Sequence, residues 1–151
     1  HRCPILTFTE RKSGVFLARL LSRKSAPEVA AALIEMLRPY QEHLFTLTSD
    51  NGKEFAHHQD IAAALGCDYY FAHPYSSWER GRNENANGRL RRYFPKRMSF
   101  AHLAQKEVDG AIEQMLDTPR KMLDYDTPRE AFLSATGIHV KNNPETTESC
   151  V

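Results

Sequence analysis

Residues 44–72 run Leu44-Phe45-Thr46-Leu47-Thr48-Ser49-Asp50-Asn51-Gly52, then Lys53-Glu54-Phe55, then the alanine-rich Ala56 to Leu65, then Gly66-Cys67 and Asp68-Tyr69-Tyr70-Phe71-Ala72. The first segment is a short β-favouring run that passes directly into turn chemistry at Asp50-Asn51-Gly52. The alanine-rich segment predicts a helix stopped by Gly66, since glycine enters the left-handed region without a Cβ penalty. The last segment is aromatic and strand-like. Strands and helices alternate here, which argues for a mixed α/β domain with helices packed on a central sheet.

Working upstream, Ile5 to Glu10 and Val15 to Leu20 are two β-favouring runs separated by Lys12-Ser13-Gly14, the pattern of a hairpin. Ser25-Ala26-Pro27-Glu28 has the form of a capping box, and Val29, Leu33 and Leu37 recur at helical spacing before Pro39. Downstream, His73 to Gly81 predicts a loop, and a polar helix is expected from about Asn83 to Tyr93, ended by Pro95. Ser99 is expected to cap a long helix with Val108, Ala111, Ile112 and Met115 on one apolar stripe. Thr127-Pro128-Arg129-Glu130 caps a final short helix, with proline at the favoured first position. Residues 137–151 are polar and aperiodic and are expected to form a flexible tail, leaving 1–136 as the folded domain.

The length, 151 residues, matches one domain, and 41% hydrophobic with 26% charged residues allow a packed core. No apolar run approaches the roughly 20 residues that span a bilayer, and no signal-peptide pattern opens the chain, so a cytoplasmic protein without membrane partners is expected. Cys3, Cys67 and Cys150 are scattered singly, which excludes a CxxC metal or dithiol motif. No glycine-rich nucleotide motif occurs, so no nucleotide cofactor is expected. His1 leads at once into a strand-like run, and the chain is expected to be a fragment of something longer.

The formal net charge of +1 conceals a segregation. Between Glu79 and Arg97 seven basic residues (Arg80, Arg82, Arg89, Arg91, Arg92, Lys96, Arg97) face two acidic ones, a local +5, against thirteen basic and seventeen acidic residues elsewhere, −4. Trp78, Tyr93 and Phe94 accompany that stretch, and basic residues interleaved with aromatics suit a phosphate backbone. A solvated helix face with ordinary arginines has the same composition.

Two carboxylates stand out. Asp50 ends an apolar strand, and Glu84 stands near a helix start inside the basic stretch, with thirty-three residues between the two. Taken singly, the first is turn chemistry and the second suits a helix dipole. If they converge, they can hold hard divalent cations, which activate an attacking water or hydroxyl and stabilise the leaving oxygen of an in-line phosphoryl displacement.

With Ser49-Asp50-Asn51-Gly52-Lys53-Glu54-Phe55 and the long run from Tyr70 through Trp78-Glu79-Arg80-Gly81-Arg82-Asn83-Glu84-Asn85-Ala86-Asn87 to Lys96, the chain resembles the catalytic core of bacterial insertion-sequence transposases of the IS-thirty type. These are DDE recombinases with a ribonuclease-H-like fold, related to retroviral integrases. The likeness covers about His1 to Phe132, including Thr127-Pro128-Arg129-Glu130-Ala131-Phe132. It implies a ribonuclease-H-like mixed sheet flanked by helices, and metal-dependent cleavage of transposon ends followed by strand transfer to target DNA. Asp50 and Glu84 would be the second and third acids, holding Mg²⁺, with Mn²⁺ as a substitute. Asn83, Asn87 and Arg91, with Lys53 and Arg80, would contact DNA, and Asn87 and Arg91 would share a helical face with Glu84. The resemblance also implies a homo-oligomer on DNA.

One departure matters. The first acid of the family lies on a strand preceding the segment that starts here, and no Asp occurs before Asp50. The resemblance places Glu10 at a strand end, away from the metal site. The chain is therefore expected to lack the first strand and to have little or no strand-transfer activity alone; the alternative is a catalytically silent DNA-binding transposase remnant. His57 and His58, about 100° apart on a helix, cannot chelate jointly and are expected on the surface. Trp78 and His73 are expected to be structural before they are DNA contacts, and Tyr69 and Tyr70 are strand residues.

Overall fold

The computed structural model describes residues 4–73, 88–94 and 103–143. They fall into two compact units, one formed by residues 1–20 with 82–151 and the other by residues 21–81.

The first unit opens with an antiparallel hairpin of β1 (Ile5–Thr9) and β2 (Phe16–Leu20), in which Thr7 faces Ala18 and Thr9 faces Phe16. Gly14 takes the positive φ, +73°, that the turn requires. Glu10 belongs to that turn: its carboxylate accepts from the Lys12 and Ser13 amides and from the Ser13 hydroxyl. Phe16, Leu17 and Ala18 are fully buried, so β2 is apolar on both faces. Against it pack a helix, α4 (Gln105–Leu116), and below that α5 (Pro128–Thr136); residues 88–93 are helical and are labelled α3. The expected stripe of Val108, Ala111, Ile112 and Met115 is the buried face of α4. The helix begins at Gln105 after Ala104, later than Ser99 suggested, and Ser99 lies outside the described residues. Glu107 sets that start by accepting from the Ala104 amide at 3.3 Å. Thr127 and Glu130 cap α5 reciprocally, at 3.1 and 2.9 Å, as the sequence predicts.

The edge of β2 that faces away from β1 is closed by side chains. Asn142 Oδ1 accepts from the Ala18 amide at 2.7 Å, Asn142 Nδ2 donates to the Ala18 carbonyl at 2.9 Å, and Gln105 Oε1 accepts from the Leu20 amide at 2.7 Å. These bonds satisfy backbone groups that an open strand edge would present. Val140 and Asn142 are buried although both were expected in the flexible tail: a polar stretch without periodicity gives no sign that its amide will complete a strand edge.

The second unit holds α1 (Ala26–Leu37), β3 (Thr46–Ser49), α2 (His58–Leu65) and β4 (Asp68–Phe71). β3 and β4 pair in parallel, Leu47 opposite Tyr69 and Ser49 opposite Phe71, with α2 as the crossover. Val29, Leu33 and Leu37 are buried along α1 as their spacing predicts. The capping box at Ser25 does not form. Glu28 instead accepts from the Ser22 amide and hydroxyl and from the Arg23 amide, because a turn preceding the helix offers three donors in place of one. Gly66 ends α2 at φ +65°.

Candidate active site

Asp50 follows the last residue of β3, so it stands at the carboxyl end of a parallel strand pair, where open α/β sheets present ligand-binding groups. Its position is fixed from both sides. The Ala72 amide continues the ladder by donating to Ser49 carbonyl oxygen at 2.8 Å, and Tyr69 donates its phenol proton to Ser49 Oγ at 2.8 Å, while Ser49 Oγ donates to the Asp50 carbonyl at 2.9 Å. The residue itself is exposed. Burial raises the Tyr69 phenol above its ordinary pKa; the Asp50 and Glu54 carboxylates add to that rise, and the Ser49 hydrogen bond opposes it.

After Asp50 the chain turns into a short 3₁₀ segment, Lys53–Phe55, closed by the Phe55 amide on the Gly52 carbonyl at 3.1 Å. A Cβ at Gly52 would meet the Glu54 carboxylate, the far end of a flexible side chain that would have to move aside. Lys53 is exposed beside Asp50 in sequence, and Glu54 pairs with Lys24 at 3.3 Å. His57 is exposed and lies 3.6 Å from Asp60. His58, expected on the surface, packs on Tyr69 and Phe71, with ring centroids 5.6 and 4.9 Å away, because the crossover helix lays its first turn over the two aromatic strand residues.

Of the residues singled out by sequence, Asp50 and Lys53 share one unit, and Arg91 lies on α3 in the other. Glu84, Arg80, Asn83 and Asn87 lie outside the described residues, as does Trp78. Among the described residues no group of three or more His, Cys, Asp and Glu side chains could hold a metal ion. Asp50 supplies one hard oxygen donor at an accessible strand end, which fits Mg²⁺, an ion that takes one or two protein carboxylates and keeps its remaining positions for water and phosphate. Sequence reasoning named Arg89 and Arg92 as members of the basic stretch and did not single out Arg120. The first two repeat at i and i+3 on α3 and were legible as a helix face, whereas Arg120 carries no local signal.

The chain is 42% identical over 132 residues to the transposase for insertion sequence element IS4351 of Bacteroides fragilis, covering 87% of this chain and 40% of that protein. It is 38% identical over 127 residues to the transposase InsI for insertion sequence element IS30C of Escherichia coli, covering 83% of this chain and 33% of that protein. The chain is a homologue of insertion-sequence transposases. It spans about a third to two fifths of the length of these two relatives. No family model matches it. The structure of this transposase homologue is similar to the catalytic core domain of BIV integrase, with a TM-score of 0.70 over 96% of this chain and 89% of that one at 22% identity. The fold is thus the ribonuclease-H-like α/β fold of an integrase catalytic core. No described helix is long and apolar enough to cross a membrane.

Proposed function

We propose that this chain is the catalytic-core segment of a DDE transposase, which cuts transposon ends and joins a 3′-hydroxyl to target DNA with Mg²⁺ or Mn²⁺, working as a multimer on DNA. The observation that carries the reading is the placement of Asp50 at the carboxyl end of β3, pinned through Ser49 and Tyr69, in a chain with this fold and these homologues. Asp50 and Glu84 would hold the metal. Bound there, a divalent ion lowers the pKa of an attacking water or hydroxyl and stabilises the leaving oxygen. The protein's own part is positional: the Tyr69–Ser49 hydrogen bond holds the strand end. Lys53, Arg80, Asn83, Asn87 and Arg91 would hold phosphates near the reacting bond.

The test is cleavage and strand transfer on oligonucleotide transposon ends with Mg²⁺ or Mn²⁺, using the chain alone and the chain joined behind an upstream strand that supplies an Asp. Activity is expected in the joined protein and little or none in the chain alone. Asp50→Asn and Glu84→Gln should each remove it by roughly three orders of magnitude, since a metal supplies several kcal/mol of transition-state stabilisation and each 1.36 kcal/mol is a decade in rate. Cleavage that survives both substitutions rejects the metal assignment. Salt-sensitive DNA binding without cleavage in either protein identifies a silent DNA-binding remnant.

A further inference from the structure

The basic helix has a second face. Arg89, Arg92 and Tyr93 stand at i, i+3 and i+4 on α3, so their side chains share one side of it, centred about 150° round from Arg91. Opposite them are Met115 in the last turn of α4, and Thr118 and Arg120 just beyond it. Together these six residues line a cavity of about 230 Å³. All belong to one structural unit, and none comes from the unit that carries Asp50. The backbone fixes Arg120 firmly: its amide donates to the Asp126 carbonyl at 3.0 Å, and its carbonyl accepts from the Leu123 and Tyr125 amides at 3.0 and 2.8 Å.

Three guanidiniums therefore converge on a cavity with no carboxylate among the described residues of its lining. Arg89 Nε and Arg120 Nε are buried and find no hydrogen-bond partner among the described residues. Burial, then the charges of Arg120 and Arg92, push the Arg89 pKa down to about 10. Arg129 in the same unit shows what a structural arginine looks like here. Its guanidinium donates to Glu113, to the Val140 carbonyl and to Asp117, the last at 2.8 Å, so it is neutralised and bonded on every side. Arg89 and Arg120 have no such partners among the described residues. Buried donors that repel one another are completed by an anion, and a phosphodiester presents two anionic oxygens in a tetrahedral spread, each able to accept more than one guanidinium N–H. Met115 makes an apolar floor, and the exposed Arg92, Tyr93 and Thr118 leave the mouth open to a group carried on a long polymer. The Thr118 hydroxyl proton is already committed to the Gln114 carbonyl at 2.7 Å, so Thr118 contributes shape.

We propose that Arg89, Arg92 and Arg120 form a pocket for one phosphodiester group of the DNA backbone, separate from the contacts expected of Lys53, Arg80, Asn83, Asn87 and Arg91. The pocket rests on the proposed action on DNA and adds to it an anchoring point that includes Arg120, far along the chain from the basic stretch. Its ligand is sequence-neutral, because phosphate contacts position a duplex without reading its bases.

The experiment uses the full chain. Binding of a short duplex is followed by fluorescence anisotropy at several salt concentrations, and thermal melts are recorded in inorganic phosphate and in chloride at matched ionic strength. Arg120→Gln should weaken duplex binding roughly five- to tenfold near 0.1 M salt and lower the slope of log K against log salt by about one, the signature of one lost phosphate contact. Phosphate should raise the Tm of the parent and not of the variant. Arg92→Gln, at the exposed mouth, should show the same two losses and decides the matter if the Arg120 variant does not fold. Unchanged affinity and slope in both variants overturn the pocket and leave the DNA reading standing. Phosphate protection that depends on Arg120 in a chain that binds no duplex overturns the assignment to DNA, leaving a site for free phosphate.

Discussion

Asn142 Nδ2 donates to Asp109 Oδ1 across 2.6 Å, and the rest of the same amide closes the outer edge of β2 at Ala18. Asp109 Oδ1 also accepts from Gln105 Nε2 at 2.7 Å, so one buried network joins α4, β2 and the segment after α5. Asn142→Ala leaves the Ala18 amide without a partner in a buried place and takes one of two donors from Asp109 Oδ1. The expected cost is about 2–4 kcal/mol, read as a lower urea midpoint at unchanged m-value.

Arg129 ties α5 to Glu113 in the last turns of α4, to Asp117 just after that helix and to the Val140 carbonyl. A lysine keeps the charge but presents a single ammonium, which cannot span two carboxylates and a carbonyl as the planar fork does. Arg129→Lys should lower stability by about 1–3 kcal/mol, with the part due to the partly buried Glu113 pair persisting in high salt and the part due to the exposed Asp117 pair screened. Thermal melts at low and high salt measure both.

These two residues also show where the sequence stops being readable. Thr127 and Glu130 were legible as a cap because both partners lie within four residues and answer each other's backbone. Ser25 and Glu28 have the same spacing, and the prediction failed because Ser22 and Arg23 offered Glu28 more donors from the other side. The strand, helix and strand around Asp50 followed from local pattern, and the site's first acid candidate could be placed from them. Asn142 and Arg120 could not: Ala18 lies 124 positions from Asn142, and the partners of Arg120 in its cavity are on another helix, so nothing near either residue announces its role.

Two glycines should respond in opposite directions to the same change. Gly66 sits at φ +65° at the end of α2, where nothing blocks a Cβ but the backbone conformation penalises one. Gly66→Ala should therefore cost about 1 kcal/mol. Gly110 lies inside α4 and is exposed, with nothing within 4 Å of a built Cβ. Gly110→Ala should stabilise by about 0.5–1 kcal/mol through helix propensity. Denaturant midpoints of the two single variants and their double test the signs, and the sites are independent enough for the effects to add.

Tyr69 sets the alkaline limit of the strand end that carries Asp50. Its phenol is held above the ordinary value of 10.0 first by burial and then by the Asp50 and Glu54 carboxylates, against the Ser49 hydrogen bond. A folded-state pKa raised above that of the unfolded chain gives stability that is complete below pH 10 or so, and that stability is lost as pH rises through the folded value. Ionising the phenol would also place a second negative charge near Asp50 and remove the proton donated to Ser49 Oγ. The parent should lose stability above about pH 10, while Tyr69→Phe loses less over the same range. At neutral pH the order is reversed, because the variant lacks the 2.8 Å hydrogen bond and should be weaker by about 0.5–1.5 kcal/mol. The two stability curves are thus expected to converge with rising pH. Urea titrations from pH 7 to 11, with tyrosinate absorbance recorded in parallel, check both ends, and curves that stay parallel through the alkaline range would show that the Tyr69 phenol is not held by its surroundings.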